Sequence, residues 1–219
     1  MTLKDIFEML REGTIDTLYM TLVATAFGYL LGMPLGILLA VTDAEGISPN
    51  KFVYKILDFL SNILRSIPFL ILLILIIPLT KALVGKSYGT NATIVPLVVA
   101  AAPFIARLVE SSLKEVSYGV IEAALSMGAT KFTIIRKVLL VEARTSLMVG
   151  LTIATGTILG YSAMAGVIGG GGLGDIAIRY GYHRYQTDIM LITIVVLVIL
   201  VQILQAIGMK IAKVLDKRR

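Results

Sequence analysis

The sequence predicts an all-α, polytopic membrane protein with five transmembrane helices, its N-terminus outside and its C-terminus inside. The chain is 57% hydrophobic and only 16% charged, whereas soluble domains are about 45–50% apolar and about 25% charged. Its mean hydropathy is +0.90. Five segments have the roughly 20 mostly apolar residues that a spanning helix needs. This excess of apolar side chains is expected when helices contact lipid as well as one another.

The five predicted spans belong to a single transmembrane domain of residues 1–219. They cover residues 18–41, 56–79, 94–109, 146–167 and 189–212. In the first span, Gly28, Gly32 and Gly36 recur every four residues and therefore share one helix face. Such a row of small residues lets a second helix approach closely. The residues before this span mix acidic and basic side chains, and the span is longer than a signal-peptide core, so no cleavable signal peptide is expected.

The second predicted span is apolar in its outer half and polar in its inner half, where Asp58, Asn62 and Arg65 lie. Arg107 lies near the inner end of the third span. A charge at membrane depth is costly unless it is paired or reaches the interface. Both arginines are close to predicted cytoplasmic ends, so their side chains are expected to extend to the interface. Glu110 is one turn from Arg107 and is placed to pair with it.

The distribution of basic residues predicts the orientation. Five spans put the termini on opposite sides of the membrane. Of the 20 Lys and Arg residues, 14 then fall on the side of the C-terminus and six on the other. Because cytoplasmic loops carry the excess of basic residues, the Lys217-Arg218-Arg219 tail is predicted inside. The net charge of +6 therefore fits membrane orientation better than nucleic-acid binding.

The connection between the third and fourth spans, residues 116–141, is predicted to form two short helices, at 116–127 and 131–140. Their apolar faces carry Val120, Ile121, Ala124 and Leu125 in the first and Phe132, Ile135, Val138 and Leu139 in the second. Gly128 can end the first helix because glycine accepts the left-handed conformation found at many helix ends. The pattern alone leaves two interpretations open: a segment lying on the bilayer surface, or a compact helical pair projecting below it.

Glu122-Ala123-Ala124, followed by Gly128, resembles the EAA loop of ABC importer permeases. The resemblance implies that the loop docks in a cleft of a separate ATP-binding subunit, present in two copies, and transmits its closure to the membrane helices. The implied coupling residues are Glu122, Ala123, Ala124, Gly128 and Ala129. The family usually has Pro where this chain has Val141, a difference that concerns the bend entering the fourth span rather than the docking.

Other segments resemble the methionine importer permeases within that family. They are Gly160-Tyr161-Ser162-Ala163-Met164-Ala165-Gly166 and Tyr180-Gly181-Tyr182. A third segment, Arg65-Ser66-Ile67-Pro68-Phe69, resembles the signature that opens the second span in amino-acid-type permeases. The resemblance implies a homodimer in the bacterial inner membrane, two ATPase subunits and an external substrate-binding lipoprotein. It implies that the substrate is L-methionine and leaves D-methionine open as a second substrate. The alternative is another small amino acid or a related compound.

Met164 is the residue that the resemblance places at a narrow gate near the dimer axis. A flexible, polarizable thioether can seal a pore and repack when helices separate. Tyr161 and Ser162 are further candidates for the translocation pathway, since both can hydrogen-bond while packing against other helices. The competing interpretation is a core- or lipid-facing methionine, because the chain contains nine methionines.

No catalytic residue, metal site or cofactor is predicted within this chain. It has no cysteine and no G-x-x-x-x-G-K-[ST] P-loop, so ATP and Mg²⁺ are expected on a partner subunit. Gly169, Gly171 and Gly174 fit G-x-G-x-x-G, but that fingerprint requires a preceding strand. Two alternatives come from other classes. An intramembrane serine hydrolase would pair Ser162 with His183, which lies in a predicted outside loop beyond reach, and a passive channel would conduct without any ATPase.

Overall fold

The computed structural model describes residues 3–216, and helices account for most of them. The helices are α1 (Leu3–Thr42), α2 (Lys51–Ser66), α3 (Phe69–Leu75), α4 (Ile77–Val84), α5 (Thr90–Lys114), α6 (Tyr118–Ser126), α7 (Lys131–Thr133), α8 (Leu140–Glu142), α9 (Arg144–Met164), α10 (Gly172–Ile176) and α11 (Thr187–Leu215). Two π-helical turns, Ile134–Leu139 and Ala177–Tyr182, and one 3₁₀ turn, Ala165–Ile168, connect neighbouring helices. The predicted inside tail, Lys217-Arg218-Arg219, lies outside the described residues. The all-α prediction is confirmed for the part of the chain described.

Four helical stretches are long and apolar enough to cross a membrane. They are Lys4–Thr42, Thr90–Lys114, Arg144–Tyr182 and Thr187–Leu215. A bent pair of helices, Lys51–Ser66 and Phe69–Leu75, is also long and apolar enough to cross a membrane when the two helices are counted as one segment. The described residues therefore provide four spans, or five when the bent pair counts as one, and the multi-pass helical architecture is confirmed at that level.

The second predicted span, residues 56–79, differs most from the structure. It is not one straight helix, because α2 and α3 meet at an angle of 101°. Ile67 ends α2 in an extended conformation, with φ −79° and ψ 123°. The ring of Pro68 disfavours a helical conformation at the residue before it, so the break follows from this single proline. An apolar run indicates burial or lipid contact but not whether the helix is straight. Hydropathy therefore did not predict the bend.

The first predicted span, residues 18–41, lies inside a much longer helix. Helix α1 has 40 residues, equivalent to about 60 Å at 1.5 Å per residue, whereas the hydrocarbon core of a bilayer is about 30 Å thick. Its first turns carry charged side chains, so a hydropathy window excludes them although they are helical. Met9 and Leu10 from these turns pack against Leu173, Ile176 and Ile189.

The small-residue face of α1 packs directly on α5; the spacing of its glycines predicts such a close approach but not which helix makes it. A Cβ atom added at Gly28 would lie 2.9 Å from the Ile105 side chain. One added at Gly32 would lie 2.9 Å from the Ile105 Cβ, and one at Gly36 would meet the Val109 side chain. Real Cβ atoms do not approach this closely, so the two helix backbones are in contact only because these positions lack side chains.

A glycine loop, residues 169–172, closes the end of the bundle opposite α6 and α7. Gly169, Gly171 and Gly172 have φ of 73°, 82° and 72°, which side chains rarely adopt. The Gly89 N–H donates to the Gly169 carbonyl over 2.9 Å. The loop follows a 3₁₀ turn and precedes α10, so its G-x-G-x-x-G pattern has no strand before it and is a packing motif.

Thr17 joins α1 to this glycine loop, which gives a first testable prediction. Its Oγ1 accepts a hydrogen bond from the buried Leu173 N–H at 2.8 Å and donates to the Gly13 carbonyl at 2.8 Å. Thr17→Val keeps the shape but leaves that N–H unpaired, which is expected to cost about 1–2 kcal/mol. Thermal unfolding in detergent measures this loss. Thr157→Val is the control, because the half-buried Thr157 bonds to the Ile153 carbonyl of its own helix, and equal losses in both variants would contradict the assignment.

Candidate functional site

Helix α6 is joined to α7 by the turn Met127–Thr130 and packs against the π-helical turn Ile134–Leu139 that continues α7; together they form the α6–α7 pair. Gly128 has φ of 75°, so it occupies the left-handed conformation that the sequence predicts for it. The Gly128 N–H donates to the Leu125 carbonyl over 2.9 Å and the Ala129 N–H to the Ala124 carbonyl over 3.1 Å. These two bonds satisfy carbonyls that the end of α6 would otherwise leave free. The Thr130 side chain then caps α7 by accepting from the Thr133 N–H.

The two faces of α6 have different surroundings. Ile121 and Ala124 are buried in the main core, whereas Glu122, Ala123 and Gly128 are exposed. Ala129 is half-buried. The inward side chains fix α6 to the bundle, so the outward ones form a rigid exposed surface. We call the exposed residues Glu122, Ala123 and Gly128 the α6 face.

The second helix of the pair departs from the predicted regular pattern. Residues Ile134–Leu139 form a π-helical turn, in which each turn holds more residues than in an α-helix. The register shifts as a result, and Ile134, which was not on the predicted apolar face, is fully buried. Phe132, which was, is 69% exposed. Ile135 and Val138 still pack against the core, as the sequence predicts.

An ion-pair network fastens α2 to α5 close to the α6–α7 pair. The Arg107 Nη1 donates to Glu110 Oε2 over 2.6 Å, which confirms the predicted pairing. The same guanidinium also forms an ion pair with Asp58 and donates to Asn62 Oδ1 over 3.0 Å. Asp58 and Asn62 come from α2, about 50 residues away in sequence. The only indication of this contact in the sequence was that Asp58 and Asn62 are polar residues within an otherwise apolar span.

Glu110 and Lys114 extend the network toward the loop between α1 and α2. Glu110 is 4% exposed, and its Oε1 lies 2.8 Å from the Lys114 Nζ and accepts from the Tyr54 hydroxyl at 3.2 Å. Lys114 also forms an ion pair with Asp43. The hydrogen bond from Lys114 holds the pKa of the Asp43 carboxyl below its ordinary value. Lys131 of α7 is tied to the same loop by a hydrogen bond of 2.9 Å to Ser48.

The three predicted pathway residues are not together on one surface. Met164, at the end of α9, is 47% exposed. Tyr161 lies one turn before it and stacks on Phe69 of α3, with ring centroids 4.6 Å apart and planes at 3°. Ser162 is 1% exposed and donates to the Leu159 carbonyl over 2.7 Å. Ser162 therefore faces the interior of the bundle. Phe69 therefore belongs to this site, although the sequence did not predict it there.

The hydrolase alternative has no support in this arrangement. The Ser162 hydroxyl is bonded within its own helix, and His183 lies edge-on to Tyr182 with ring centroids 5.3 Å apart. A serine nucleophile needs its base within hydrogen-bond distance. Between residues 3 and 216, no group of three or more His, Cys, Asp or Glu side chains is placed to hold a metal ion.

A bundle of helices long and apolar enough to span a membrane, with a short helical pair at one end, defines the class of multi-pass helical membrane proteins. Residues 32–219 match the family described as binding-protein-dependent transport system inner membrane component, and the chain belongs to that family. The predicted inner-membrane location is thereby confirmed.

Two relatives and one solved structure are similar over nearly the whole chain. The probable D-methionine transport system permease protein MetI of Vibrio cholerae is 52% identical over 211 residues, 96% of this chain and 94% of that protein. The methionine import system permease protein MetP of Bacillus subtilis is 46% identical, over 94% of this chain and 93% of its own. A solved structure of inward-facing conformations of the MetNI methionine ABC transporter is 46% identical, with a TM-score of 0.97 and coverage of 99% of this chain and 100% of that one.

Proposed function

We propose that this chain is the permease subunit of an ATP-driven ABC importer that moves methionine across the bacterial inner membrane. The observation that carries the proposal is the agreement in fold with the MetNI transporter over almost every residue of both chains. The relatives from Vibrio cholerae and Bacillus subtilis are named as a probable D-methionine permease and a methionine import permease, respectively. L-methionine is the first substrate to test and D-methionine the second, with another small amino acid or related compound as the alternative.

We propose that residues 1–219 form one transmembrane domain whose α6–α7 end faces the cytoplasm and whose N-terminus lies outside. The excess of Lys and Arg on the side of the C-terminus supports this orientation. The glycine loop then faces outward, where an external substrate-binding lipoprotein would deliver its ligand. Substrate would leave at the end that carries α6 and α7.

The α6 face is the proposed contact with the ATP-binding partner. Glu122, Ala123 and Gly128 are exposed although α6 is anchored by buried side chains. Within the described residues 3–216, Glu122 has no ion-pair partner, so its charge is free to bind a partner protein. Ala124 and Ala129 act from beneath this surface by fixing α6 and the Gly128 turn. The partner binds ATP and Mg²⁺ and hydrolyses the ATP, and two copies of the partner assemble with two copies of this chain.

Met164 and Tyr161 are the proposed gate residues at the centre of a homodimer. Met164 is exposed at the end of α9 while most of that helix packs within the bundle. Tyr161, one turn earlier, is held by its stack on Phe69. Ser162 supports this segment from the interior, because its hydroxyl is bonded within the helix.

Reconstitution in liposomes tests the function directly. The permease, its ATP-binding partner and the substrate-binding lipoprotein are combined, and uptake of labelled L- and D-methionine is measured with and without ATP. ATP-dependent accumulation of methionine is the expected result. Accumulation of a different amino acid would assign the alternative substrate, and equilibration without ATP would identify a passive channel and overturn the proposal.

Shortening the gate side chain gives a second testable prediction. Met164→Ala removes the thioether and is expected to raise ATP-independent methionine leak by about tenfold, equivalent to ~1.4 kcal/mol in the equilibrium between closed and open gates. Met209→Ala is the matched control, because Met209 is also exposed but lies on α11. If Met164→Ala and Met209→Ala leak methionine at the same rate, the assignment of Met164 to the gate is wrong.

A further inference from the structure

Helix α2 is held against α5 by polar side chains along one of its faces. Tyr54, Asp58 and Asn62 are spaced four residues apart, so they point in the same direction. All three contact Arg107 or Glu110 of α5 through hydrogen bonds or an ion pair. The neighbouring Lys55 is exposed and lies off this face. The attachment of α2 to α5 is therefore polar and directional.

These contacts fix the register between the two helices more firmly than apolar packing would. The Glu110 side chain is 5% exposed and the Arg107 side chain 19%. Buried charged groups are costly when they lose their partners, so sliding α2 along α5 would separate charges that the protein interior cannot solvate. Helix α2 is expected to follow α5 when α5 moves.

Helix α5 is in turn continuous with the α6–α7 pair. Only residues 115–117 separate Lys114, the last residue of α5, from Tyr118, the first of α6. Leu113 and Val116 at this junction are buried in one core with Ile121 of α6. A displacement of α6 therefore reaches the end of α5 through a short, packed connection.

The other end of α2 leads to the gate. After the bend at Pro68, Phe69 begins α3 and stacks on Tyr161 of α9. Met164 lies one turn beyond Tyr161. Since Phe69 is only 7% exposed, it cannot move far without displacing the Tyr161 ring.

We propose that the bent segment α2–α3 is a lever with two joints, the Asp58–Arg107 ion pair and the Phe69–Tyr161 stack. Through it, movement of the α6–α7 pair is carried to Met164. This inference rests on the proposed function and adds to it the positioning residues inside the permease. Asp58 and Phe69 act through Arg107 and Tyr161, respectively, and touch neither substrate nor nucleotide.

Each joint has a variant, a conservative rescue and a matched control. Asp58→Asn removes the charge and Asp58→Glu restores it, while Lys55→Gln neutralises an exposed charge on the same helix. Phe69→Leu removes the stack and Phe69→Tyr retains it, while Phe59→Leu changes an exposed ring of α2. Uptake is expected to fall about tenfold in Asp58→Asn and Phe69→Leu, with ATP hydrolysis by the assembled complex retained. The rescue and control variants are expected to transport at the parental rate.

A distance measurement at the gate separates coupling from simple loss of structure. The chain has no cysteine, so Val167→Cys, at an exposed position one turn beyond Met164, accepts a single spin label per protomer in the complete complex. In the parent, the distance between the two labels is expected to change when a non-hydrolysable ATP analogue binds. In Asp58→Asn and Phe69→Leu, this change is expected to shrink or disappear although the analogue still binds.

The outcomes distinguish the lever from the function on which it rests. If the distance between the labels in the parent does not change when the ATP analogue binds, ATP-driven gating is overturned, and the lever with it. A parental response that persists at full size in both variants would overturn the lever alone. Should Asp58→Asn fail to assemble with the ATP-binding partner, Phe69→Leu at the distant joint decides the result by the same two criteria.

Discussion

Replacement of Glu122 by lysine is expected to reduce methionine uptake about 100-fold, because a reversed charge at the partner contact costs several kcal/mol. Glu122 is exposed on α6, and no ion pair within residues 3–216 depends on it, so the permease itself should fold and insert normally. The loss is expected in co-purification of the ATP-binding partner and in ATP-driven uptake. Insertion is followed by yield and by the elution profile in detergent.

The control for Glu122→Lys is Glu115→Lys, which reverses another exposed charge at the same end of the bundle. Glu115 is exposed at the junction of α5 and α6 and is not one of the residues of the α6 face. This control is expected to transport at close to the parental rate. Normal partner binding and uptake in Glu122→Lys would show that the α6 face is not where the ATP-binding partner docks.

Replacement of Gly36 by valine has the largest expected effect on the permease itself. A Cβ at this position would collide with the Ala106 carbonyl and with the Val109 side chain. A backbone carbonyl cannot rotate away like a flexible side chain, so α1 and α5 must separate along their seam. Overpacking of this kind costs about 3 kcal/mol. The expected result is a sharp loss of folded protein after detergent extraction, measured by size-exclusion fluorescence of a tagged chain.

Gly150→Ala is the control for the seam, because it adds a methyl group to another membrane helix with room for it. The added Cβ would lie 3.5 Å from the Leu108 Cβ, which is an ordinary van der Waals distance. This variant is expected to remain folded. If Gly36→Val yielded as much folded protein as Gly150→Ala, the close contact between α1 and α5 would not be essential to the fold.

The predictions from sequence that agree with the structure depend on residues close together in the chain. The glycine row of α1 is a repeat of four, and its packing against α5 follows from the absence of side chains at those positions. The pairing of Arg107 with Glu110 joins residues one turn apart. The left-handed Gly128 and the helices on either side of it are equally local.

The features that the sequence did not predict depend on contacts between distant residues or on exact backbone geometry. The π-helical turn places Ile134 rather than Phe132 in the core, and no periodic pattern marks the extra residue. Asp58 meets Arg107 across 49 positions and Tyr54 meets Glu110 across 56. The Phe69–Tyr161 stack joins α3 to α9, and polar or aromatic residue types alone do not identify such partners.

The sequence by itself determined that this is a multi-pass helical membrane protein, and it predicted an EAA-type loop from a short motif that resembles those of ABC importer permeases. Apolar length, helical spacing and short motifs are properties of neighbouring residues, so one chain suffices to identify them. Only the tertiary structure decided that the second span is bent, that Ser162 faces inward while Met164 is exposed, and that α2 is bound to α5 by charge. These outcomes depend on which helices pack together, because burial and ion pairing are properties of contacts rather than of positions along the chain.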